Sequence, residues 1–113
     1  MDKPLKKLRK GRFYGHLDQS KRLHPNLILE TDDENNTYVS ASFTHSSSKA
    51  IRLPNNIDPE DEEPCYVRKK LVVDKRNKYT VNQLKGLRLT PKNREIVNEI
   101  YKEYKNGGKN EKN

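Results

Sequence analysis

Residues 37–54 read T-Y-V-S-A-S-F-T-H-S-S-S-K-A-I-R-L-P. Up to Phe43 the run alternates, with Tyr38, Ser40 and Ser42 pointing one way and Val39, Ala41 and Phe43 the other. Such a two-residue period predicts a half-buried β-strand with one apolar face. Thr44 then leads, without a glycine, into His45, Ser46, Ser47, Ser48 and Lys49. A plain connection needs only a tight turn, so a cluster of hydroxyls, an imidazole and an amine marks this loop as a candidate site.

Upstream, the segment D-D-E-N-N at 32–36 is rich in side chains that accept left-handed geometry and make local hydrogen bonds, which predicts a turn. The run N-L-I-L-E-T at 26–31 is apolar and too short for a helix, so it is expected to pair with 37–43 as a hairpin. Pro25 is tolerated if the ladder begins after it. Residues 12–17, R-F-Y-G-H-L, predict a first strand in which Gly15 marks a bulge or a close backbone approach. Residues 18–23 form a polar loop carrying Lys21 and Arg22.

Downstream, residues 50–53 are a short extended piece stopped by Pro54, and 55–64 form an acidic, proline-bounded loop. Residues 65–73 predict another strand, interrupted by Lys69 and Lys70. Thr90-Pro91 is a helix start, a capping hydroxyl followed by proline at the first helical position. Ile96, Val97, Ile100, Tyr101 and Tyr104 recur on one helical face before Gly107-Gly108 ends it. The expected organisation is a flexible basic arm at 1–11, one domain at 12–106 with its helix at 91–105, and a disordered tail at 107–113. The fold class is mainly β (α+β): a small curled antiparallel sheet or barrel with a C-terminal helix, since curling limits exposed strand edges.

With 113 residues, 30% hydrophobic and 35% charged, the chain supports one domain with a thin core. The net charge of +8 favours a polyanionic partner, and nucleic acid is the usual one. Acids are concentrated at Asp58, Glu60, Asp61, Glu62 and Glu63, which leaves the rest of the surface more basic. This acidic run reads either as a solubilising linker, the favoured reading, or as a cover over a basic groove. Cys65 is the sole cysteine, which excludes an intrachain disulfide and a C-x-x-C metal site; a buried strand position is expected for it. No apolar run reaches the length of a membrane span, so a cytoplasmic protein without membrane contact is expected. Neither a metal nor a cofactor is called for.

Taken in order, four segments resemble the MazF, PemK and Kid toxin family of toxin–antitoxin systems. H-P-N-L-I-L-E is similar to that family's R-P-V-x-V-V strand. S-A-S-F-T-H-S-S-S-K-A-I-R-L-P is similar to its strand ending in x-L-T, followed by a loop and an x-x-L-P strand. C-Y-V-R-K-K-L-V-V-D-K-R-N-K-Y and L-R-L-T-P-K-N-R-E-I-V-N-E-I are similar to its D-K-x-R-L segment and closing helix. The resemblance spans roughly residues 12–104. It implies an SH3-like barrel, a homodimer, a cognate antitoxin and metal-independent cleavage of single-stranded RNA. It also implies that Thr44 occupies the position of the family's active threonine. The family's arginine position is held by His24, with Arg22 two residues before it.

Metal-free RNA cleavage needs a base for the 2′-OH, donors for the phosphorane charge and an acid for the leaving 5′-oxygen. Histidine serves both proton roles and arginine holds phosphate. The histidines are His16, His24 and His45, each at a strand end that the expected topology gathers at one rim. His24 and His45 are therefore assigned the acid–base work, Arg22 and Thr44 the scissile phosphate, and Ser46 a further donor. Lys21, Lys49, Arg52, Lys69, Lys70, Lys75 and Arg76 are expected to follow the RNA backbone, and Tyr14 to offer a stacking face. Two other classes remain open: a non-catalytic nucleic-acid-binding module on the same barrel, and a gyrase-targeting toxin like CcdB.

Overall fold

A computed structural model describes residues 8–17, 23–75 and 82–107 of the chain. The central hairpin forms where the alternation places it, from β2 (Leu23–Asp32) and β3 (Thr37–Thr44), antiparallel. Asp32 makes the turn: its carboxylate accepts from the N–H groups of Glu34 (3.1 Å) and Asn35 (3.3 Å) and from the Asn35 side-chain amide (2.8 Å). Asn36 takes the left-handed conformation at φ 56°. The Asn35 amide, above all, holds the Asp32 carboxyl below its ordinary range.

The sheet runs β4–β5–β3–β2–β1–β7, where β1 is Phe13–Leu17, β4 is Ala50–Arg52, β5 is Tyr66–Arg68 and β7 is Asn82–Gln83. β6 (Val72–Lys75) pairs with β3 off this path. All the pairings are antiparallel. With α1 (Pro91–Asn106) closing the chain, the architecture is the expected mainly β one, a small antiparallel sheet with a single C-terminal helix. No helix among the described residues is long and apolar enough to cross a membrane.

Several details differ from expectation. Pro25 lies inside β2 rather than ahead of it, opposite Gly15 of β1. The ladder to β3 nevertheless starts only at Asn26↔Ser42, as befits a residue with no N–H to give. Gly15 carries no bulge; the irregularity falls in β2 between Ile28 and Glu30. The strand expected over 65–73 is two strands. β5 pairs with the end of β3 (Phe43↔Val67) and β6 with its beginning (Val39↔Val73), and the two registers differ by two residues. Those extra residues are taken up around Lys69 and Lys70, where the backbone bends. β3 thereby belongs to two sheet segments, its beginning shared with β6 and its end with β5.

The main core lies between the sheet and α1: Phe13, Leu27, Val39, Ala41, Phe43 and Val67 meet Val97 and Ile100 of the helix. Phe13 and Phe43 pack with ring centroids 5.7 Å apart. Cys65 is buried in this core as expected, and burial pushes its thiol up. The supposed polar face of β3 is buried too. Tyr38 packs with Tyr14, Ile28 and Leu8, and the Ser40 hydroxyl donates to Asn26 Oδ1 at 3.3 Å. The cover is Leu8, only 5% exposed although it falls in the basic segment 1–11. Its neighbourhood is fixed by Gly11 N–H to Ile28 O (2.8 Å), Ile28 N–H to Arg12 O (3.0 Å) and Arg9 N–H to the Tyr14 hydroxyl (3.0 Å).

α1 starts as the sequence predicts: Thr90 caps it, its hydroxyl oxygen accepting the Asn93 N–H at 3.2 Å, with Pro91 at the first helical position. A second device was not legible in the sequence. Asn93, fully buried, clamps the backbone of Asn55: its amide donates to Asn55 O at 2.7 Å and its Oδ1 accepts Asn55 N–H at 3.2 Å. Thr90 donates its hydroxyl to Asn55 Oδ1 at 2.8 Å. The helix start is thus bolted to the loop that follows β4.

Candidate functional site

The strand ends that carry the candidate residues do converge. β1 and β2 pair with His16 opposite His24. On the other edge of β2, His24 stands two residues beyond Asn26, and Thr44 two beyond its partner Ser42. The end of β1, the start of β2 and the end of β3 therefore share one rim. His24 is half-buried, and its carbonyl accepts from the Asn26 side-chain amide at 2.9 Å.

Beyond Ser42, β3 pairs with β5, and β5 pairs in turn with β4. This sets Thr44 opposite Tyr66, and Tyr66 opposite Arg52. Residues directly opposed in an antiparallel pair share a face, with strands about 4.8 Å apart. Thr44, Tyr66 and Arg52 consequently form one row on the outer face. The next row, Phe43, Val67 and Ile51, faces the core. Tyr66 is half-buried and stands between a hydroxyl and a guanidinium. Sequence reasoning missed it, although its alternation with the buried Cys65 and Val67 was a usable signal.

The T-H-S-S-S-K loop is ordered by its own hydroxyls. Thr44 Oγ1 accepts Ser46 N–H at 3.1 Å, and Ser46 Oγ accepts Ser48 N–H at 3.2 Å. Each oxygen is used as an acceptor, so each O–H proton can still be donated to an anion. Lys49 ends the loop in the left-handed region (φ 51°), and its carbonyl accepts Lys69 N–H at 3.0 Å. Lys49 and Lys69 are thereby neighbours in backbone, both exposed.

The acidic loop supplies the partner the sequence did not reveal. Asp61 Oδ2 lies 2.6 Å from His45 Nε2, with side-chain exposures of 25% and 51%. The other carboxylate oxygen of Asp61 accepts Glu63 N–H at 3.1 Å. The Asn56 amide donates to the carbonyls of Asp61 (2.6 Å) and Glu63 (2.9 Å). Ile57 anchors the loop in the core. This is a built loop rather than a solvated linker. The hydrogen bond to His45, ahead of that to Glu63 N–H, holds the Asp61 carboxyl below its ordinary range. In a neutral imidazole whose Nε2–H donates to Asp61, Nδ1 of His45 would carry the lone pair that a general base requires.

Other candidates fall elsewhere. Tyr14 is 3% exposed with its hydroxyl engaged by Arg9, so it offers no face to a base; Leu8 and Tyr38 cover it. Lys75 pairs with Thr37, at the opposite end of β3 from Thr44. At about 3.3 Å per residue, that separates it from the rim by roughly 23 Å. Lys70 is exposed at the bend between β5 and β6. Lys21, Arg22 and Arg76 lie outside the described residues. No group of three or more His, Cys, Asp or Glu placed to hold a metal ion occurs among the described residues. Comparisons of the chain with family models, with curated proteins and with solved structures find no match.

Proposed function

We propose that the chain is a metal-independent endoribonuclease of single-stranded RNA, a toxin of the MazF and PemK kind acting in the cytoplasm as a homodimer under a cognate antitoxin. The observation that carries this reading is the His45–Asp61 pair beside Thr44, in a row that ends in Arg52. His45 Nδ1 takes the proton from a 2′-OH. The freed 2′-oxygen attacks the adjacent phosphorus as the P–O5′ bond breaks, leaving a 2′,3′-cyclic phosphate, and His24 protonates the departing 5′-oxygen. Thr44, Ser46 and Arg52 donate to the phosphoryl oxygens while charge builds. Asp61 holds the imidazole in the tautomer that leaves Nδ1 basic and stabilises the imidazolium that forms. Tyr66 offers a ring to a neighbouring base.

The test is incubation of purified protein with single-stranded RNA in EDTA. Cleavage that survives chelation and is lost in His45→Ala and Thr44→Ala supports the reading. RNA left intact at high protein concentration overturns it. The presence of His24 where the resembling family has arginine favours a second reading, a non-catalytic nucleic-acid-binding module. That reading predicts salt-dependent binding without products.

A further inference from the structure

Away from the rim, a cleft of about 610 Å³ opens between residues 10–12, β2, the segment 83–89 and α1. Its floor is apolar, formed by Phe13, Leu27, Leu84, Leu87 and Val97. Its cations are Lys10, Arg12, Lys85, Arg88 and Arg94, all exposed, and no acid lines it. These five come from three separate stretches of chain, and none has an ion pair among the described residues. Gathering like charges around an apolar floor is unfavourable without an anion to neutralise them.

The mouth is also open. Gly11 and Gly86 sit in the left-handed region at φ 84° and 86°, and a Cβ built on either would meet nothing within 4 Å. Glu30, which follows the lining residue Leu29, is engaged by the Tyr101 hydroxyl. β1 runs from this cleft, at Phe13, to the rim, at His16, about 10 Å of strand.

We propose that this cleft is a second nucleic-acid site, which takes the backbone of a single strand across Arg12, Arg88 and Arg94 and rests a base on the apolar floor. Three of the five cations are arginines, whose planar forks match phosphate oxygens. A single phosphate monoester brings only about two negative charges, so a run of phosphodiesters matches the five cations better than a nucleoside monophosphate does. The site stands whether or not the rim cleaves RNA, because its residues take no part in the proposed chemistry.

The experiment uses a fluorescent 2′-O-methyl oligoribonucleotide of about twelve residues, long enough to span the cleft. Its blocked 2′-oxygens keep cleavage out of the readout. Anisotropy is followed against salt for the wild-type chain, for Arg88→Gln/Arg94→Gln and for Arg52→Gln/His45→Ala. Each phosphate contact contributes about 0.7 to the slope of log K against log salt for a single strand. The cleft double variant is therefore expected to flatten the slope by about 1.4 and to weaken binding about 25-fold at about 0.1 M salt. Wild-type affinity and slope in that variant overturn the proposal. So does displacement of the probe by a nucleoside monophosphate, or by poly-aspartate, as effectively as by unlabelled oligonucleotide. Melting curves matching the wild type exclude misfolding, which exposed arginines make the expected result.

Discussion

Replacing Asn93 by alanine tests how the helix is held to the sheet. Asn93 is 0% exposed and makes both of its side-chain hydrogen bonds to the backbone of Asn55, at 2.7 and 3.2 Å. Each neutral hydrogen bond contributes about 1 kcal/mol net, and a buried group left without a partner costs more. Asn55 is exposed, so water reaches part of its backbone and holds the loss near the lower end. Adding the small void and subtracting about 0.5 kcal/mol for alanine's better helix propensity leaves a net cost of about 2 kcal/mol. In a domain of this size that lowers the melting midpoint by roughly 8–16 °C. Asn98→Ala, on the exposed side of the same helix, should stay within about 0.5 kcal/mol of wild type. Asn93→Asp keeps the volume but turns an oxygen toward the Asn55 carbonyl, so it should also destabilise. The assay is thermal unfolding followed by circular dichroism. An Asn93→Ala midpoint within a degree or two of wild type, or an Asn93→Asp variant as stable as wild type, would refute the clamp.

Leu8→Ala should cost about 2 kcal/mol in chemical denaturation, the low end for a buried leucine because the patch it closes is peripheral; an unchanged midpoint would place residue 8 outside the packed structure. Tyr38 and Tyr101 are both pushed up to about 12, each chiefly by burial, with Asp74 adding to the first and Glu30 to the second. A raised folded value favours the neutral phenol. Its contribution to stability is therefore complete below the ordinary value of 10.0 and is lost as pH rises toward about 12. Tyrosinate absorbance should include late-titrating phenols, with Tyr38→Phe and Tyr101→Phe each removing one. The Cys65 thiol, buried and raised, should react slowly with a thiol reagent in the native protein and at once in denaturant; fast native labelling would contradict its place in the core.

The features legible in the sequence are those whose cause is local. The turn at Asp32 and the helix start at Thr90-Pro91 are decided by residues within a few positions of each other, and both are where the residue types put them. The apolar face of β3 was legible for the same reason. Its other face was not, because the side chain that buries Tyr14 and Tyr38 is Leu8, from a segment with no period of its own. The split of 65–73 into β5 and β6 depends on β3 serving two sheet segments, a register no single strand declares. At the candidate site, Thr44, His45, Ser46, Lys49 and Arg52 could be found by residue type and position. Asp61 could not, since it reaches His45 from sixteen residues away through a loop whose acidity reads as solubilising. Residue type alone does not place Lys75: it lies in β6, whose register pairs it with Thr37, at the far end of β3 from Thr44.

The most direct test of a metal-free 2′-OH mechanism at the Thr44–His45 rim is the chemistry of the product ends. Single-stranded RNA is incubated with the protein in EDTA, and the fragments are weighed by mass spectrometry. The proposed mechanism predicts 2′,3′-cyclic phosphate ends facing 5′-hydroxyl ends, strongly diminished in Asp61→Asn and absent in His45→Ala. Fragments ending in 5′-phosphate, or products undiminished by His45→Ala, would contradict it.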